Sequence, residues 1–188
     1  MSNYTIIGLG NPGEEYENTR HNTGWIVSRA FCKEQKFDAF EEDNKIKALK
    51  TKGEIGKNKV VCLLPLTFMN KSGSPLKKII TSKKKAEKLI LIQDEVDIPL
   101  GKWKISFGKN SAGHKGVESV MRAVKTKDFY RVRVGISPST PKGKIKKPKG
   151  EKVLDFLMGK FKPKELAVLK KISKKINEDI EKLILQKR

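Results

Sequence analysis

Histidine and cysteine are scarce in this chain, with two of each in 188 residues. Cys32 and Cys62 are too few for a disulfide framework and lack metal-ligand spacing, so both are read as reduced, buried thiols. No serine or cysteine stands in a nucleophile motif, which disfavours covalent acyl-enzyme chemistry and leaves attack by water as the simpler route. No segment approaches the ~18 consecutive apolar residues of a membrane span. The opening Met1-Ser2-Asn3-Tyr4 lacks the basic-then-apolar plan of a signal peptide, so a cytoplasmic protein is expected. Internal repeats are absent, and the length suits one domain with one sizeable core, spanning 1–188. Acidic residues are also in deficit, 21 against 42 Lys and Arg, giving a formal net charge of +21. Such an excess implies a polyanionic partner, nucleic acid first and an anionic membrane surface second.

What is present is concentrated in loops. After the apolar run Tyr4-Thr5-Ile6-Ile7, read as a buried first strand, comes a stretch from Gly8 to Gly24. It packs four glycines, one proline and three asparagines into seventeen residues and carries His21. A polar loop that starts where a core strand ends is where an α/β protein usually places its chemistry. Helical spacing of Trp25, Ile26, Val27, Ala30 and Phe31 predicts a helix from Thr23 or Gly24 to about Lys36. Residues 46–51 alternate and residues 59–64 are apolar, with a Gly56-Lys57-Asn58 turn between them, which predicts a hairpin whose second strand is buried.

Pro65 closes that strand. Ser72 is then the expected cap of a helix carrying Leu76, Ile79 and Ile80, which leaves Phe68 and Asn70 on the connecting loop. An aromatic and an amide there, Phe68 and Asn70, suit a binding site; the alternative is that Phe68 and Met69 plug the core beneath the loop. The run Leu89 to Gln93 reads as a central strand covered on both faces. Beyond it Asp94, Glu95 and Asp97 form a solvated turn or a functional group that orients a partner or holds a metal. Asp94, as the first residue past the strand, is the one expected to be partly buried and to need a partner, for instance a histidine. Trp103 to Phe107 alternates like a half-exposed strand. A second glycine-bearing loop, 108–116, holds His114 and leads into a helix with Val117, Val120, Met121 and Val124, whose first amides would favour a phosphate. Arg131 to Ile136 is a further strand with both arginines on one face. Ser137 to Gly150, with three prolines, two glycines and five lysines, is expected to be a mobile basic loop able to reach a polyanion. Val153 to Phe161 is a short apolar anchor. From Pro163 an amphipathic C-terminal helix presents Leu166, Leu169, Ile172, Ile176, Ile180, Leu183 and Ile184 on one face, with lysines on the other that serve solubility or contact RNA. The fold class is therefore α/β.

Gly8-Leu9-Gly10-Asn11-Pro12-Gly13 matches the dinucleotide pattern in form, but no helix begins within it and no second strand ends in an acid about twenty residues on. A hydrolytic reading fits better. Both histidines lie in Gly/Asn-bearing loops and not on an apolar helix face. An imidazole of ordinary pKa about 6.5 can take a proton from water near neutral pH. A carboxylate on its other nitrogen would fix the tautomer, and carboxamides such as Asn11 and Asn70 would bind a carbonyl or developing oxyanion. With two histidines and no spaced cysteines, a zinc site would have to recruit carboxylates, and no metal is expected.

Several separate segments together resemble bacterial peptidyl-tRNA hydrolases: Gly8 to Gly13 with Tyr16; Thr19-Arg20-His21-Asn22 and Gly24; Pro65, Thr67-Phe68-Met69-Asn70 and Ser72-Gly73; Asp94-Glu95, Asp97, Pro99 and Gly101; Gly113-His114 and Gly116; Arg131, Arg133 and Gly135-Ile136. The resemblance runs over nearly the whole chain. It implies a mixed, twisted sheet flanked by helices on both faces, no cofactor, and a monomer. The substrate it implies is peptidyl-tRNA, cleaved at the ester between peptide and tRNA. By the same resemblance His21 is the general base and Asp94 supports it. Asn11 contacts the peptide beside the ester, Tyr16, Phe68 and Asn70 bind the end of the substrate, and His114 and Lys115 belong to the binding set. One position departs from the pattern, since Lys115 stands where the family commonly has an asparagine. A lysine there suits a phosphate or the terminal ribose. Lys104, Arg131 and Arg133 are candidates for the acceptor stem. A non-catalytic RNA-binding protein on the same scaffold is the competing reading.

Overall fold

The strands of the centre form around short unbroken apolar runs, 6–7, 60–64 and 89–92. In the computed structural model, which describes residues 3–186, these are β1 (Asn3–Gly8), β4 (Asn58–Pro65) and β5 (Leu89–Pro99). Met1 and Ser2, part of the stretch read against a signal peptide, lie outside the described residues, as do Lys187 and Arg188. With β2 (Glu41–Asp43), β3 (Ala48–Ile55), β6 (Trp103–Phe107) and β7 (Tyr130–Ser137) they build one seven-stranded sheet in the order β2-β3-β4-β1-β5-β7-β6. The four inner strands β4, β1, β5 and β7 run parallel, whereas β2, β3 and β6 pair antiparallel at the margins.

Alternation along the inner strands divides two cores. Ile6, Ile90 and Ile92 face one side and pack with Val27 and Phe31 of α1 (Thr23–Glu34) and Leu169, Ile176 and Ile180 of α5 (Pro163–Leu185). Ile7, Leu89 and Leu91 face the other, against Val117 and Val120 of α3 (Lys115–Val124) and Met69 and Leu76. Burying each such side chain is worth about 1.5–3 kcal/mol, so the stretch of a strand packed between the two cores, such as 89–92, is apolar at successive positions. The remaining helices are short, α2 (Lys83–Ala86) and α4 (Lys152–Met158). Among the described residues no helix is long and apolar enough to cross a membrane.

Three local expectations change. The helix expected after Ser72 is a pair of 3-10 turns, Met69–Lys71 and Ser74–Lys78. Ser72 does not cap a helix; its hydroxyl donates back to the Met69 carbonyl at 2.9 Å. The cause is tertiary: the Gly73 amide donates to Ser119 Oγ at 3.0 Å, and a Cβ on Gly73 would lie 2.2 Å from the Ser119 carbonyl oxygen, so α3 presses the chain out of α-helical path. Leu76 and Ile80 still reach the core. Next, Asp94, Glu95 and Asp97 are not a turn, because β5 continues beside β7 to Pro99, with a shift in register between Glu95 and Pro99. Finally, the apolar anchor at 153–161 is only partly buried: α4 has no fully buried residue and Leu154 is 60% exposed.

Candidate active site

All four parallel strands end at one edge of the sheet, where open α/β sheets bind their ligands. The loop after β1 is folded back there by its own backbone and by Asn22. The Leu9 amide donates to the Ile92 carbonyl at 2.9 Å and the Trp25 amide to the Leu9 carbonyl at 3.2 Å. Gly24 allows this approach, since a Cβ there would meet the Ile92 carbonyl oxygen at 2.4 Å. Asn22 Oδ1 accepts the Asn11 amide and Asn22 Nδ2 donates to the Asn11 carbonyl, both at 2.9 Å. This clamp fixes the 3-10 turn Arg20–Asn22 and with it His21.

His21 Nδ1–H donates to both carboxylate oxygens of Asp94, at 3.0 and 3.1 Å, with both residues buried. His114 donates from Nε2 to Asp94 Oδ1 at 3.1 Å. The tautomer of His114 follows from its other nitrogen, because Nδ1 accepts the Gly116 amide at 3.2 Å and, more weakly, the Val117 amide at 3.5 Å as the N-cap of α3. His21 Nε2 has no hydrogen-bond partner among the described residues. It is the nitrogen left to act as a base, and His21 lines a cavity of about 510 Å³. Asp94, His114, Lys115, Glu95 and Val96 line the same cavity, and Val153, Leu154 and Leu157 of α4 form an apolar wall.

Charges in this trio reinforce one another. Burial of His21 acts to lower its pKa, yet the adjacent Asp94 carboxylate outweighs it and raises His21 above its ordinary value. Burial likewise acts to raise Asp94, but the two imidazoles hold its carboxyl well below the usual carboxylate range. The three side chains also offer metal-ligating atoms within 4.8 Å of one another. They are hydrogen-bonded instead: the amides on His114 Nδ1 place the ring proton on Nε2, the atom a metal beside Asp94 would need bare.

Two expectations in this region are corrected. The Gly116 and Val117 amides in the first turn of α3 point at the His114 ring and are not open to a phosphate. Arg131 is not an acceptor-stem contact. It is 3% exposed, donating to Gln93 Oε1 at 3.3 Å and to the Asn110 carbonyl at 2.7 Å, and it thereby pins the loop that carries His114. Arg133 pairs with Glu95 at 2.8 Å, and exposed Lys104 lies opposite it on β6.

The other expected residues, Asn11, Tyr16, Phe68 and Asn70, are not among those that line the His21 cavity. Asn11 is buried and its Oδ1 accepts the Met69 amide at 2.8 Å, so Nδ2 is the end available to a substrate. Phe68, 58% exposed, meets half-buried Tyr16 edge-on at 6.2 Å and joins the two loops. Asn70 is not brought to the His21 cavity. It lines a separate hollow of about 320 Å³ with Lys71, Lys77 and Arg122.

A family model described as peptidyl-tRNA hydrolase matches residues 5–188. The chain belongs to the peptidyl-tRNA hydrolase family. Curated members with this name are similar over most of their length. That of Thermodesulfovibrio yellowstonii is 36% identical over 183 residues, 96% of this chain and 90% of the relative. That of Methylacidiphilum infernorum is 38% identical over 163 residues, 86% and 81%. Among solved structures, the peptidyl-tRNA hydrolase of Acinetobacter baumannii has a TM-score of 0.83 at 27% identity, covering 97% of this chain and 88% of its own. Sequence reasoning named His21 and Asp94 but missed Asn22 as the clamp and His114 as a second donor to Asp94. Asn22 carried a legible signal, lying in the same short motif as His21. His114 did not, since a loop histidine shows nothing of what it will face.

Proposed function

We propose that this member of the peptidyl-tRNA hydrolase family cleaves the ester between tRNA and a peptide, or an N-blocked amino acid, and so recycles tRNA dropped from ribosomes. The observation that carries the mechanism is the His21 pair: Nδ1–H is committed to Asp94 while Nε2 is free beside the cavity. Nε2 takes a proton from water as the water oxygen adds to the ester carbonyl carbon. Asp94 stabilises the imidazolium that forms. Collapse of the tetrahedral intermediate breaks the bond to the ribose oxygen, which receives the proton from His21, leaving a peptide acid and free tRNA. In this reading Asn11 Nδ2 holds the substrate carbonyl, Tyr16 and Phe68 pack on the end of the substrate, and Asn70 meets it outside the cavity. No cofactor enters this chemistry.

The net charge of +21 supplies affinity for tRNA phosphates. Within one domain, the basic loop around 137–150 is the mobile element that follows the acceptor stem, with Lys104 and Arg133 beside it. Lys147 of that loop pairs with Asp97 at the end of β5 at 2.5 Å, so a phosphate would compete with Asp97 for it. The working form is a cytoplasmic monomer.

Release of N-acetylamino acid from N-acetylaminoacyl-tRNA tests the reading, beside the same tRNA bearing a free amine. Cleavage of the blocked substrate alone supports it; binding without cleavage makes the chain an RNA-binding module. Lys115 is 73% exposed on its side chain and 3.4 Å from Glu118, and in this reading it touches phosphate or ribose rather than the ester. Lys115→Asn is therefore expected to raise KM by about threefold to tenfold, the scale of one exposed ionic contact, with kcat little changed. An equal fall in kcat would put Lys115 in the chemistry.

A further inference from the structure

Arg20 precedes His21 in the same 3-10 turn, yet its side chain turns away from the cavity and is 11% exposed. Nη2 donates to both carboxylate oxygens of Glu165, at 3.0 and 3.1 Å, near the start of α5. Nη1 donates to the Gly159 carbonyl at 3.2 Å, which also accepts the Arg20 amide at 3.0 Å. The guanidinium lies over the Phe156 ring at 4.6 Å and the Phe161 ring at 5.5 Å. Beside it the backbones pair, with a bridge between Thr19 and Lys160 and the Phe161 amide donating to the Asn18 carbonyl at 2.9 Å. Gly159 has no side chain where one would crowd the guanidinium, a Cβ there lying 2.9 Å from Nη1.

These contacts join three segments, and one of them needs the join. α4 forms the apolar wall of the cavity through Val153, Leu154 and Leu157, yet it buries none of its residues fully. A helix of seven residues with so little core is not stable alone. Arg20 ties it, through Phe156 and Gly159, to the turn that carries the base. A planar guanidinium can stack on a ring while two of its nitrogens donate to separate acceptors in its plane, here the Glu165 carboxylate and the Gly159 carbonyl, which a single lysine ammonium cannot.

We propose that Arg20 is a positioning residue for the hydrolysis, holding the α4 wall against the His21 turn so that the peptide end of the substrate is seated. This rests on the proposed function. The base is held independently, by Asp94 on β5 and by the Asn22 clamp, so loss of Arg20 alters substrate seating and leaves the titration of His21 unchanged.

The test compares wild type, Arg20→Lys, Phe156→Leu and the double variant on N-acetylaminoacyl-tRNA, with pH profiles and amide hydrogen exchange below the melting temperatures. Each single variant is expected to raise KM about tenfold, within the cost of misplacing a seating group, with kcat within about threefold of wild type. The acid limb of the pH profile stays in place. Exchange quickens in 152–158 and not in 23–34. The double variant adds little, because both changes break one contact. Wild-type KM in Arg20→Lys, even with faster exchange in α4, makes the residue purely structural and overturns the proposal while the hydrolase reading stands. A shifted acid limb also overturns it, placing Arg20 in the electrostatics of the base. A wild type without turnover overturns the hydrolase reading, and this role falls with it.

Discussion

Replacing His21 by alanine is expected to lower kcat by about 10² to 10⁴, the usual worth of a positioned general base, while tRNA affinity stays near that of wild type. The base is one imidazole nitrogen, whereas affinity for tRNA is spread over the surface charge, so the two losses separate. The fold should survive. Asp94 keeps the His114 donor at 3.1 Å when His21 is gone, so its charge is not left bare, and the cost is on the order of one charged hydrogen bond, about 1.5–3 kcal/mol. Steady-state turnover with N-acetylaminoacyl-tRNA and a melting curve of the same preparation check both halves. A variant that turns over at the wild-type rate would remove His21 from the mechanism.

Asp94→Asn should cost nearly as much turnover, and it should also move the pH profile. Asp94 receives His21 Nδ1–H at both oxygens and His114 Nε2–H at one. A carboxamide replaces one acceptor oxygen with a donor. His21 is then driven toward the tautomer with its proton on Nε2, the atom that should be bare, and a loss of roughly 10² to 10⁴ follows. The active form of His21 is neutral, so activity rises with pH through its pKa, which Asp94 holds above the ordinary value. Without the carboxylate only the effect of burial remains, which favours the neutral ring, and the acid limb moves to lower pH. An unmoved limb would sink the coupling.

Stability responds with the opposite sign for His21. A pKa raised by folding contributes stability that is fully present below the unfolded value, about 6.5, and is lost as pH rises through the folded value. The Asp94 carboxyl, held low, contributes above its unfolded value of about 3.9 and loses that contribution as pH falls through the folded one. The pair is therefore most stabilising between those limits, and turnover grows only as its upper limit is passed.

Much of the scaffold was legible because its signals are local. The unbroken apolar run of β5, the alternation of β6 and the helical spacing of α1, α3 and α5 each sit within one element and emerged as read. The readings that failed depended on neighbours. The chain after Ser72 had helical spacing at Leu76 and Ile80, but contact between Gly73 and Ser119 of α3 tightened it into 3-10 turns. Asp94 to Pro99 had the polarity of a turn, but pairing with β7 kept it in the sheet. Arg131 looked like a phosphate ligand until its partners, Gln93 and the Asn110 carbonyl, proved to be internal.

By itself the sequence determined the α/β class, the basic charge and the loops that carry Asn11, His21 and His114, and it nominated His21 and Asp94 as a pair. Composition and short-period pattern are properties of the chain and survive without coordinates. Only the tertiary structure decided that Asp94 serves two histidines, that His114 caps α3 and faces inward, that Asn70 stands apart from the cavity, and that Arg20 ties α4 to the His21 turn. The reason is physical: His21 and Asp94 are 73 positions apart, and Arg20 and Glu165 are 145 apart. Which groups meet across such spans is set by the packing of whole elements, and no local pattern encodes it.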